Sequence, residues 1–210
     1  MKLYEFEGAP SPRKVRLFAA EKGLSLPTVS VDLRAGEQFS EWYRQIQPRC
    51  TVPALALEDG TVIGDSEAIC RYLEAQQPDL PLLGETALEQ ARIAEWLRRI
   101  ELAGYGPTAD ALRNQSPAFA DRALPGPDPI EQIPALAERG RWRAQRFWPA
   151  LDAALAAGGP WLLGDRLSAA DLFAFATLEF AQRVELGPDC ALPVLASWQQ
   201  RLRQRSTVQA

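Results

Sequence analysis

A chain of 210 residues has room for one large domain or two small ones, and its net charge of −4 makes nucleic acid an unexpected partner. With no histidine, and with Cys50, Cys70 and Cys190 scattered and lacking Cys-x-x-Cys spacing, Ser-His-Asp or Cys-His chemistry is excluded and neither a disulfide framework nor a metal site is expected. Glu5 and Glu7 interrupt any secretory apolar core and no stretch reaches membrane-spanning length, so a soluble, cytoplasmic protein without membrane contact is expected.

In chain order, residues 2–6 alternate as a short strand. Ser11-Pro12 reads as the N-cap and first position of a helix that stops at Gly23, with Val15, Phe18 and Ala19 on one face. The β-branched run Thr28–Leu33 predicts a second strand, and residues 41–46 a short helix. Ala54–Leu57 and Thr61–Ile63 flank the turn Glu58-Asp59-Gly60 and predict an antiparallel hairpin. A helix opening at Asp65-Ser66 runs to about Gln76 and closes the unit at Gln77-Pro78. The order β-α-β, linking helix, β-β-α makes residues 1–78 a compact α/β domain.

From Thr86 the strand signals stop. Residues 89–102 are helical, and Gly104, Gly106 and Pro107 predict a kink before the pattern resumes through Asn114. The stretch from Ser116 to Pro134, with Pro117, Pro125, Pro127 and Pro129, is too proline-rich for regular helix and too long for a turn; it reads as a functional cover or a fixed strap. Further helices are predicted over residues 136–157 and from Ser168. Ser168-Ala169-Ala170-Asp171 is a capping box with Leu167 and Leu172 at the staple positions, and starts the apolar core helix of an all-helical domain over residues 86–205. Trp42, Trp96, Trp142, Trp148, Trp161 and Trp198 are expected in packing rather than as ligand platforms.

The chemistry is carried by Thr51-Val52-Pro53, followed twelve residues after the proline by Asp65-Ser66. Proline cannot donate to a sheet ladder and belongs at the first position of a strand. With its peptide bond cis, Pro53 turns the backbone of Val52 outward, leaving an N–H and a C=O to pair with an extended peptide. The helix that opens at Asp65-Ser66 offers unpaired N–H groups, the positive end of its dipole and two polar side chains, which favour a carboxylate. One edge reads a peptide backbone and the other captures an acid.

These pieces together resemble the soluble glutathione transferases, and the run Ala9-Pro10-Ser11-Pro12-Arg13-Lys14-Val15-Arg16 with Glu21-Lys22-Gly23 looks most like the bacterial and fungal branches of that superfamily. The resemblance implies a thioredoxin-like α/β N-terminal domain followed by an all-α C-terminal domain. It implies glutathione as co-substrate, a small hydrophobic electrophile as the second substrate, and a homodimer. Glutathione would meet Val52, Pro53, Asp65 and Ser66, with Gln38 and Arg49 as candidates for its glycine end and Ser11 beside its sulfur. A thiol at a helix N-terminus is shifted toward thiolate; with Pro12 lacking an N–H, the expected donors are the N–H groups of Arg13 and Lys14 and the Ser11 hydroxyl. The electrophile is expected near Gly8, Ala9, Tyr105, Ala109, Leu112 and Arg113. Two alternatives stay open: a non-catalytic relative that binds a partner, and a glutathione-dependent reductase or peroxidase, which needs Cys50 exposed and reactive.

Overall fold

The computed structural model describes residues 1–209. By packing they divide into two units, Met1–Leu80 with Leu124–Ile130, and Pro81–Ala123 with Glu131 onward.

In the first unit the elements are β1 (Lys2–Glu5), α1 (Pro10–Glu21), β2 (Thr28–Ser30), α2 (Glu41–Ile46), β3 (Ala54–Ala56), β4 (Val62–Ile63) and α3 (Ser66–Gln76). The sheet order is β2-β1-β3-β4. β1 and β2 run parallel with Leu3 beside Thr28, which requires a crossover, and α1 supplies it. β1 and β3 are antiparallel with Leu3 beside Leu55, and β3 and β4 form the expected hairpin with Leu55 beside Ile63. Gly60 makes the turn at a φ of 87°, a conformation glycine adopts without strain. Val15, Leu17 and Phe18 of α1 and Ile69, Cys70 and Leu73 of α3 are buried where the two helices pack.

Lys22 closes the far end of this unit. Its buried ammonium donates to the carbonyls of Asp79 (2.8 Å) and Leu80 (2.9 Å) and lies 2.6 Å from Glu74 Oε2. A buried charge is tolerable only when surrounded by partners in this way.

The second unit holds α4 (Ala87–Arg99), α5 (Gly106–Arg113), α6 (Pro134–Gly158), α7 (Ala169–Arg183), α8 (Pro193–Arg203) and α9 (Ser206–Gln209). The kink predicted at Gly104–Pro107 is resolved as a π-helical turn over Ile100–Tyr105, in which the Gly106 N–H reaches back to Glu101 O. The wider turn carries the helix past a proline that has no N–H to give. Two glycines then let α6 come close: a Cβ on Gly140 would lie 2.5 Å from Pro107 O, and one on Gly104 2.7 Å from the Phe147 ring.

The proline-rich stretch is a strap fastened to the end of α5. Gln132 Nε2 donates to Arg113 O (2.6 Å) and Ser116 O (2.7 Å), and the Ile133 N–H donates to Asn114 Oδ1 (2.9 Å).

Ser168 caps α7 as expected, and Asp171 does more than close the box. Its Oδ2 accepts from Ser168 N (3.1 Å) and Ser168 Oγ (3.0 Å), while Oδ1 accepts from Leu162 N (2.9 Å) and Trp198 Nε1 (3.0 Å). One fully buried carboxylate therefore joins the α6–α7 connection, the start of α7 and α8. Trp148, Trp161 and Trp198 are core residues, as expected, but Trp142 is 62% and Trp42 39% exposed. Trp142 lies under the guanidinium of Arg146, 4.9 Å from its ring centroid. Among the described residues no helix is long and apolar enough to cross a membrane.

Candidate functional site

The peptide edge begins at a cis bond between Val52 and Pro53. Tyr43, buried in α2 against Tyr4 and Trp42, donates its phenol to Thr51 O at 2.6 Å and so holds the residue before Val52. Burial, with Cys50 and Tyr4 as lesser contributors, pushes that phenol far above its ordinary value, so it stays a donor. Neither the N–H nor the C=O of Val52 has a hydrogen-bond partner among the described residues. Half-buried backbone groups of this kind are normally paired; these two are open to an extended ligand.

The helix end lies two residues beyond β4. Asp65 is the N-cap of α3, its Oδ1 accepting from the Ala68 N–H at 2.9 Å, which places Ser66 at the first helical position. The N–H groups of Ser66 and Glu67 have no intrahelical acceptor, as the first turn of any helix requires. Ser66 is only 9% exposed and its hydroxyl has no partner among the described residues. The Glu67 side chain is turned along the helix to Arg71, with nitrogen to oxygen distances of 2.7 and 3.0 Å. The hairpin pairs Leu55 with Ile63 and Ala56 with Val62, so the peptide edge, which leads into β3, and the helix end, which follows β4, leave the same end of the antiparallel hairpin.

Of the residues expected at the glycine end, Gln38 is buried in a single 3-10 turn over Glu37–Phe39 and its Oε1 has no hydrogen-bond partner among the described residues. Asp32 shapes the preceding loop, its Oδ1 accepting from the N–H groups of Arg34 (2.8 Å) and Ala35 (3.1 Å). Arg49 is exposed and bonded within the protein, Nη2 to Gly64 O at 3.0 Å.

At α1 the sequence expectation needs correction. The helix starts at Pro10 with Ala9 as a cap that makes no side-chain bond, so Ser11 is the second helical residue and not the N-cap. The Arg13 N–H returns to Ala9 O at 3.3 Å and Lys14 follows it in the helix, so their N–H groups belong to the helix ladder. Of Pro10, Ser11 and Pro12, Ser11 alone carries a backbone N–H. In the first turn Ser11 is therefore the residue that carries both a backbone N–H and a hydroxyl. Glu5 and Arg16 pair across β1 and α1, and Arg16 Nη2 donates to Glu7 O at 3.1 Å, fixing the loop between them.

Gly8 and Ala9 lie in that loop, where the Ala9 N–H closes a turn onto Phe6 O at 2.9 Å. Tyr105, Ala109 and Leu112 are half-buried on the second unit, with the Tyr105 ring 5.8 Å from that of Phe180. Arg113, expected at the electrophile, is committed elsewhere: it donates to Arg122 O at 2.7 Å and lies over the Phe119 ring, and burial lowers its pKa. Cys50 is buried, its Sγ 3.6 Å from Pro48 O, and Cys70 is buried with its thiol pushed up by desolvation. Tyr43 and Gln47 were not singled out by the sequence, because an aromatic and a glutamine in a short helical segment carry no motif; their importance comes from which carbonyl and which glycine they reach.

The glutathione S-transferase N-terminal domain family model matches residues 9–76, and the glutathione S-transferase C-terminal domain model residues 119–206. Glutathione S-transferase 2 of Saccharomyces cerevisiae is 30% identical over 99% of this chain and 88% of that protein. The maleylacetoacetate isomerase of Pseudomonas aeruginosa is 31% identical over 73% of this chain and 85% of its own length. A crystal structure of a glutathione S-transferase domain-containing protein from Marinobacter aquaeolei superposes with a TM-score of 0.88 at 32% identity, covering 99% of this chain and 100% of that one. The chain belongs to the soluble glutathione transferase superfamily, with the thioredoxin-like and helical domains of that fold.

Proposed function

We propose that the chain is a glutathione transferase that joins the glutathione thiolate to small hydrophobic electrophiles. The observation that supports this reading is the unpaired backbone of Val52 at the same end of the hairpin as the first turn of α3, whose leading N–H groups have no intrahelical acceptor. Val52 would pair with the cysteinyl backbone of glutathione in strand fashion, and Ser66, with the N–H of Glu67, would take the γ-glutamyl carboxylate. Pro53 shapes the first contact and Asp65 holds the helix end in place. Gln38, whose buried Oε1 is an acceptor without a partner among the described residues, would serve the glycine end by taking a donor there.

Ser11 would hold the sulfur. Its N–H and hydroxyl lie at the positive end of a twelve-residue helix and favour thiolate over thiol. The thiol proton leaves to solvent and the sulfur lone pair forms the carbon–sulfur bond, while the pair of the bond that breaks leaves with a halide, stays on the opened epoxide oxygen or, in an activated alkene, moves to the adjacent carbon, solvent protonating the last two. No protein base is needed at neutral pH, in keeping with a chain that has no histidine. Burial of Cys50 counts against the reductase and peroxidase alternative, which requires an accessible protein thiol.

The test is retention on immobilised glutathione with elution by the free peptide, followed by conjugation assays on a panel of aryl halides, epoxides and activated alkenes. Retention without conjugation of any electrophile would favour the non-catalytic alternative, and absence of retention would remove the reading. We further propose a cytoplasmic two-fold homodimer; a monomer in sedimentation at micromolar concentration would refute the dimer.

A further inference from the structure

Arg49 and Gln47 converge on one residue, Gly64. Arg49 Nη2 donates to Gly64 O, the group immediately before the cap residue Asp65, at 3.0 Å. Gln47 lies over the same residue so closely that a Cβ on Gly64 would come within 1.8 Å of Gln47 Nε2, and any larger residue there would push the amide aside. The two are linked to each other, Gln47 Oε1 accepting from the Arg49 N–H at 3.3 Å. Gln47 is buried and anchored in turn, closing α2 with its N–H on Tyr43 O at 2.7 Å. Tyr43 reaches the other way, to Thr51 O. One short helix and its last turn thus hold Thr51 on one side and Gly64 on the other, the residues that lead into Val52 and into Asp65-Ser66.

We propose that Gln47 and Arg49 are positioning residues that fix the start of α3 against the peptide edge, with Arg49 acting through Gly64 O and making no contact with the ligand. The inference rests on the reading of Val52 and Ser66 as the glutathione site. Only two residues, Gly64 and Asp65, connect β4 to α3. Unbraced, that link would leave Ser66 mobile relative to Val52, and a ligand touching both would have to order it on binding. A brace removes that cost before the ligand arrives. The guanidinium is suited to the task because it keeps its charge and geometry while donating to a neutral carbonyl.

The alternative role for an arginine here, direct pairing with the glycine carboxylate of glutathione, predicts a different pattern. The experiment is calorimetric binding of glutathione and of glutathione whose glycine carboxylate has been converted to the amide, to the wild type, Arg49→Ala and Arg49→Lys. Positioning predicts that Arg49→Ala weakens both peptides by the same factor, roughly three- to tenfold, the worth of one hydrogen bond from a charged donor at an exposed site. Arg49→Lys, which keeps a donor, recovers part of the loss for both. A penalty confined to the free-acid peptide would make Arg49 a carboxylate ligand and overturn the proposal, as would undiminished binding of both by Arg49→Ala. Arg49→Gln, read on the same two peptides, serves if the alanine variant proves unstable. A wild type that binds neither peptide would instead sink the glutathione reading itself.

Discussion

Ser66→Ala separates ligand binding from helix stability with unusual clarity, because the structure assigns the cap of α3 to Asp65. In the free protein the Ser66 hydroxyl has no hydrogen-bond partner among the described residues, so its removal breaks no hydrogen bond and should leave stability within about 0.5 kcal/mol, the range of a substitution that disturbs no special feature. In the complex the same hydroxyl is assigned to the γ-glutamyl carboxylate. A hydrogen bond to a charged group is worth about 1.5–3 kcal/mol, and each 1.4 kcal/mol is a factor of about ten. Glutathione affinity should therefore fall roughly ten- to hundredfold with no matching change in the urea midpoint. Isothermal calorimetry gives the first quantity and equilibrium unfolding the second. Unchanged affinity in a folded Ser66→Ala protein would refute the placement of the carboxylate at α3. A parallel loss of stability would show that the hydroxyl has a structural partner in the free protein.

Ser11→Ala should leave glutathione affinity nearly unchanged while raising the pKa of the bound thiol, read as thiolate absorbance against pH; an unmoved titration would leave activation to the helix field and the Ser11 N–H. Gly140→Ala pits two effects of opposite sign against each other. Helix propensity gains about 1 kcal/mol, but the new Cβ would meet Pro107 O at 2.5 Å and Ala111 N at 2.8 Å, backbone atoms that no rotamer change can move. A net loss of about 1–3 kcal/mol is expected in urea unfolding, and a stabilised variant would contradict the close approach of α5 and α6. Asp171→Ala leaves four buried donors unpaired and should cost at least about 3 kcal/mol; a loss below about 1 kcal/mol would deny its place as a hub. Glu89 accepts from the N–H groups of Thr86 and Glu85 and from Arg166, which together hold its carboxyl below the ordinary carboxylate value. A folded-state value lowered in this way contributes stability that is present above the unfolded value and lost as pH falls through the folded one. Glu89→Gln should accordingly show a shallower loss of stability on the acid side than the wild type, and identical pH profiles would refute the linkage.

The element order of the first unit, the hairpin at Gly60, the capping box at Ser168 and the change from mixed to helical composition near Thr86 were all legible from the residues. Each depends on neighbours a few positions apart: turn residues, β-branched runs and side chains that reach their own helix end. The cis bond expected at Pro53 and the helix start expected at Asp65-Ser66 were legible for the same reason, and a hairpin with a two-residue link joins those two segments. What the sequence misjudged was the start of α1, and what it did not show were the partners of the long polar side chains. Ser11 looked like a cap because serine before proline is a common helix start, yet the chain enters the helix one residue before it, and Pro10 and Pro12 leave Ser11 as the carrier of the N–H in that turn. Arg113 and Arg49 both looked like ligand arginines; tertiary structure gave one to Arg122 O and the other to Gly64 O, because a guanidinium bonds whichever acceptor the fold brings near it. The same holds for Tyr43, Gln47 and Asp171, whose roles lie in contacts with Thr51, Gly64, Leu162 and Trp198. Local chemistry determines where helices, strands and turns begin, whereas the hydrogen-bond partner of a long polar side chain is set by packing between segments that sequence spacing does not encode.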